Sequence, residues 1–104
     1  MLSRYAASKP FTTKDGSTIR ELMHPAQQGN SKQSLAEATV PPGTTTLLHR
    51  HHKSEELYHI TGGEGIMVLG DERFTVTLGD TVLIPPGTPH AIENRGKEEL
   101  KILC

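Results

Sequence analysis

From Ser34 onward the apolar residues fall in short runs, each closed by glycine, proline or aspartate. The runs are Ser34–Val40, Thr44–His51, Glu56–Thr61, Gly65–Leu69, Arg73–Leu78, Thr81–Ile84, His90–Glu93 and Leu100–Leu103. Pro41-Pro-Gly43, Gly62-Gly63, Gly70-Asp71, Gly79-Asp80, Pro85-Pro-Gly87 and Arg95-Gly96 separate them. Short strands at regular spacing predict an all-β sandwich or barrel. Gly70-Asp71 has the chemistry of a two-residue hairpin loop. No stretch keeps a helical period. Residues 1–33 are polar, with a turn signal at Asp15-Gly16, one strand predicted over Thr18–Met23 and a loop over Gln27–Gln33. We therefore divide the chain into an N-terminal arm, 1–33, packing on the barrel or on a neighbour, and one barrel domain, 34–104. The chain stops inside an apolar run, Leu100-Lys-Ile-Leu-Cys104, which leads us to expect further natural sequence beyond it.

At 104 residues there is room for one domain with a modest core. There is no Trp, so the interior rests on Val, Ile and Leu. A small core makes a bound metal and a partner subunit natural stabilisers. The 11 Lys and Arg nearly balance the 12 Asp and Glu, without the basic stripe that nucleic-acid binding requires. No apolar run reaches membrane-spanning or signal-peptide length, and the single cysteine allows no intrachain disulfide. These features lead us to expect a cytoplasmic protein with no nucleic-acid or membrane partner.

The histidines change the picture. His49 and His51 stand two apart on a predicted strand, which puts both side chains on one face with Cα atoms about 6.7 Å apart. Glu56 follows after His52-Lys-Ser54, a polar break that resets the alternation, and shares a face with Tyr58 and Ile60. His90 follows Pro85-Pro-Gly-Thr-Pro89, whose prolines stiffen the approach of a distant ligand. Three imidazoles and a carboxylate suit one divalent first-row metal such as Mn, Fe, Zn or Ni. Such a centre can serve as a Lewis acid, acidify bound water or bind a chelating anion.

These two stretches resemble the two signature motifs of the cupin superfamily. Gly43, His49, His51, Glu56 and Gly63 fit G-x5-H-x-H-x3or4-E-x6-G with the four-residue option, and Gly79, Pro85, Gly87, His90 and Asn94 fit G-x5-P-x-G-x2-H-x3-N. The resemblance implies a jelly-roll barrel of cupin type and the ligand set His49, His51, Glu56 and His90. Glu55 with Gly62 is also a legal match; the run Glu-Glu-Leu-Tyr-His-Ile-Thr-Gly-Gly favours Glu56. The resemblance further implies a small-molecule substrate and a homodimer. A substrate would chelate the metal, as in dioxygenases, decarboxylases and isomerases; the alternative is a binding protein without turnover. Tyr58 and Glu37 are the candidate catalytic residues, although Leu35, Glu37 and Thr39 share one strand face and Ala36, Ala38 and Val40 the more apolar one. His52, His59 and His24 are expected at the surface, and Cys104 as a small core residue. Gly62-Gly-Glu-Gly65 opens no helix and is read as a tight turn.

Overall fold

A computed structural model describes every residue except His49. Among the described residues nine strands make two antiparallel sheets. They are β1 (Phe11–Thr12), β2 (Thr18–Met23), β3 (Leu35–Val40), β4 (Glu56–Gly62), β5 (Glu64–Leu69), β6 (Glu72–Thr77), β7 (Thr81–Ile84), β8 (His90–Glu93) and β9 (Leu100–Leu103). One sheet runs β1-β2-β3-β9-β4-β7 and the other β6-β5-β8. The architecture is the predicted all-β jelly-roll barrel.

The core lies between the sheets and follows strand alternation. Tyr58 and Ile60 point inward from β4, Met67 from β5, Val82 and Ile84 from β7, and Leu100 and Ile102 from β9. Burying each such aliphatic side chain contributes on the order of 2 kcal/mol. Two glycines set the connections. Leu69 pairs with Glu72, leaving Gly70-Asp71 as the hairpin loop, and only Gly70 has positive φ. That is the pattern of a type II′ turn. Gly63 has φ +76°, and a Cβ there would lie 2.5 Å from the Glu99 carbonyl oxygen; one on Gly62 would meet nothing closer than 3.7 Å.

Two expectations are corrected. Among the described residues of the 44–51 stretch, only Thr45 makes a bridge, to Glu93, and Leu47 and Leu48 are exposed, so the expected continuous strand is not seen there. The Thr46 N–H donates to the Ile92 carbonyl at 3.0 Å. The next amide, Leu47, turns to a side chain instead, the Asp15 carboxylate. The predicted loop over Gln27–Gln33 begins inside a helical turn, α1 (Pro25–Gln28), with Pro at its start, the His24 ring accepting from the Ala26 amide, and Gly29 closing it at φ 78°. His24 is thus a cap rather than an idle surface residue. Thr18–Met23 pairs along its length with β3 of the same chain, so the arm packs on its own barrel.

Candidate metal centre

Three of the four expected ligands converge. Glu56 opens β4 opposite Ile84, the residue at which β7 enters the proline-rich turn. That turn then holds both histidines. The Gly87 amide donates to the His51 carbonyl at 2.5 Å, and the His90 ring Nδ1 lies 3.0 Å from the Thr88 carbonyl. His51 Nε2 and His90 Nε2 each stand 3.3 Å from Glu56 Oε1. All three ligand atoms lie within 4.8 Å of one another. His90 is fully buried, Glu56 is 24% exposed and His51 48%, so the cluster opens to solvent on the His51 side. His49, the fourth expected ligand, lies outside the described residues.

The donor set fits a cation. A carbonyl oxygen can only accept, so the bond to Thr88 puts the His90 proton on Nδ1. The neutral ring then presents a lone pair at Nε2, facing a carboxylate oxygen at 3.3 Å. Two electron-rich atoms at that distance repel unless a proton or a metal ion lies between them. Glu56 Oε1 is buried and makes no hydrogen bond among the described residues. A buried carboxylate oxygen in that state is costly, and a metal ion would relieve it.

Tyr58 forms the wall beside this cluster. Its ring meets the His90 ring edge-on, with centroids 5.8 Å apart and planes at 86°. Burial, reinforced by the Glu56 charge, raises its phenol far above the usual value and keeps it protonated. Burial likewise pushes the Cys104 thiol up to about 12, with the Glu56 and Glu21 charges adding to the effect. Glu37 is not brought to the cluster. It points from the outer face of β3, where the Tyr5 hydroxyl donates to it at 2.6 Å and Lys101 lies 3.9 Å away. Alternation decides this, because Ala38 and Val40 take the core side.

Asn94 is fully buried and fastens a turn. Its amide donates to the Val40 and Glu98 carbonyls, and its oxygen accepts from the Gly96 amide. Sequence reasoning marked Asp15-Gly16 as a turn but missed the Asp15 contact with Leu47, which spans residues far apart in the chain. The gap between Gly62 and Gly63 in tolerance for a side chain also supports Gly63 as the closing glycine, and with it Glu56 over the exposed Glu55.

The Cupin domain family matches residues 36–104. The chain belongs to the cupin family. Among its relatives, this cupin is 58% identical over 102 residues to an uncharacterized protein of Methanocaldococcus jannaschii, covering 98% of this chain and 82% of that protein. It is 32% identical over 85 residues to an oxalate-binding protein of Thermotoga maritima, covering 82% of this chain and 66% of the relative. Among solved structures it resembles a predicted oxalate decarboxylase of Thermotoga maritima, with TM-score 0.82 and 27% identity over 99% of this chain and 95% of that one. Among the described residues no helix is long and apolar enough to cross a membrane.

Proposed function

We propose that this cupin holds one divalent transition metal through His49, His51, Glu56 and His90, and acts there on a small oxygen-rich anion of the oxalate kind. The observation that carries this reading is the meeting of His51, Glu56 and His90 around one buried carboxylate oxygen. The oxalate-binding relative motivates the substrate class. When bound, the metal supplies an electrophilic point for chelation of adjacent oxygens.

The chain's own residues orient that chemistry. The Thr88 carbonyl fixes the His90 tautomer, and Tyr58 sets the ring's angle. Tyr58 also remains a protonated donor beside the cluster. Decarboxylation of hydrogen oxalate to carbon dioxide and formate breaks one C–C bond and places the substrate's proton on the remaining carbon; the Tyr58 hydroxyl beside the cluster can offer a hydrogen bond to the bound anion.

A second reading is reversible binding of the same anion without turnover, which the relative's function as an oxalate-binding protein favours. One experiment separates them. Protein purified without added metal is assayed by elemental analysis, then incubated with oxalate while formate, carbon dioxide and hydrogen peroxide are followed and binding heat is measured. Metal with product supports the enzyme. Metal with binding and no product supports the carrier. Metal content far below one ion per chain that added metal does not raise would sink both.

A further inference from the structure

The Thr13–Ser17 turn is built around one carboxylate. Asp15 Oδ1 accepts from the Thr13 hydroxyl at 2.5 Å, the Ser17 hydroxyl at 2.6 Å and the Ser17 amide at 2.9 Å. Oδ2 reaches out of the turn and accepts from the Leu47 amide at 3.0 Å. Ser17 is buried, and the position of a Cβ on Gly16 would lie 3.8 Å from the Thr44 methyl, so the turn rests on the 44–47 segment. On its other side that segment is tied to β8 and to Asn94 beyond it. The Thr46 amide donates to the Ile92 carbonyl, the Ile92 amide to the Thr46 hydroxyl and the Asn94 amide to the Thr44 carbonyl. Asp15 holds the residue that follows Thr46, Leu47, by its amide.

We propose that Asp15 is a positioning residue for the metal centre: by holding the Leu47 amide, its carboxylate helps to fix the path of the segment that runs on to His51. The far end of the stretch is fixed by the Gly87 amide on the His51 carbonyl. Between those points the described residues, Leu48 and Arg50, are exposed. Losing the Asp15 bond therefore removes one tie on the segment that carries His51 toward Glu56 and His90. Burial alone would raise the Asp15 carboxyl, but the hydroxyl and amide donors outweigh it and hold it well below the usual carboxylate range. Such donors act on an ionised, fully engaged acceptor and make strong bonds. This inference rests on the metal reading of the His51, Glu56 and His90 site.

The test uses the full chain with Co(II), whose visible absorption reports ligand geometry. Asp15→Ala is expected to weaken Co(II) binding about tenfold or more and to alter the absorption bands. In the metal-free protein the same substitution should speed hydrogen exchange at the Leu47 amide. Asp15→Asn keeps one acceptor and is expected to lie between the two, which keeps the test open if the alanine variant folds poorly. Tyr5→Phe loosens the arm elsewhere, by removing the bond to Glu37, and should leave Co(II) affinity unchanged. Equal Co(II) affinity and spectra in the unaltered chain and both Asp15 variants would overturn the proposal alone. An equal loss in Tyr5→Phe would also overturn it, by showing general loosening. No Co(II) binding by the unaltered chain would overturn the metal reading and the purpose of the clamp with it.

Discussion

His90 has no slack. It is fully buried, its Nδ1 is committed to the Thr88 carbonyl and its ring is wedged against Tyr58. His90→Ala should therefore remove most bound metal and lower stability by about 3 kcal/mol, through the lost ligand and the cavity left behind. Elemental analysis and thermal unfolding check this. Tyr58→Phe keeps the packing and removes the hydroxyl, so metal content should hold. If the phenol's hydrogen bond holds the reacting anion, turnover should drop about a hundredfold. At Gly63 a side chain meets both a positive φ and the Glu99 carbonyl. Gly63→Ala should cost about 2 kcal/mol, a drop in Tm on the order of 10 °C, whereas Gly62→Ala stays within about 1 kcal/mol. Cys104 gives a pH signature. Folding raises its thiol from 9.0 to about 12, so between those values the folded chain keeps a proton that the unfolded chain releases. Stability should fall as pH climbs from 9 toward 12, measurable in the urea midpoint, and alkylation at pH 8 should be slow in the folded protein.

At the scale of elements, residues 35–103 were legible wherever alternation and turn chemistry agree. β4 to β9 follow from apolar residues two apart and from the glycines between them. The described residues from Thr44 to Leu48 have the same surface pattern but form no strand, and the Leu47 amide is held by a carboxylate from a turn far away in sequence. No local rule reaches across that distance. Glu37 shows the reverse: alternation placed it outside, and its chemistry as an acid did not outweigh its parity. The four-residue α1 was missed although Pro25 and Gly29 mark its ends, since one turn is too short to show a period. The arm's division at residue 33 is a proposal that a truncation series can test. β2 covers the edge of β3, so removing residues 1–9 should leave a soluble fold, while removing 1–24 should bare that edge and promote association. Light scattering of the two truncations distinguishes the outcomes.

At the scale of the molecule, a metal held as proposed would be linked to the fold. With ligand at a hundred times its Kd, binding adds about 2.7 kcal/mol, a large share of what a small barrel has. Ligand imidazoles must be deprotonated, so metal should leave as pH falls through about 6, and the melting temperature should fall with it. Unchanged occupancy after dialysis at pH 4.5 would contradict histidine ligation. We also propose that the chain pairs with a second copy. The arm's strand is already engaged in its own sheet, so the motive moves to Leu57 and Leu83, cross-strand neighbours half exposed on the outer face of β4 and β7. Mass in solution should be that of a dimer and should fall to that of a monomer in Leu57→Ser/Leu83→Ser.

β9 carries a consequence for how the protein is made. It follows every other strand in the chain, yet it lies in the middle of the large sheet, with β3 on one side and β4 on the other. The ribosome therefore delivers β1, β2 and β3 as one set and β4 and β7 as another, with nothing to join their backbones until Leu100–Leu103 emerge. Until then β3 and β4 each expose an unpaired edge and the core lacks Leu100 and Ile102. Folding of the large sheet should accordingly wait until Leu100–Leu103 have emerged, and a nascent chain stalled before Leu100 should stay sensitive to protease and hold to chaperones.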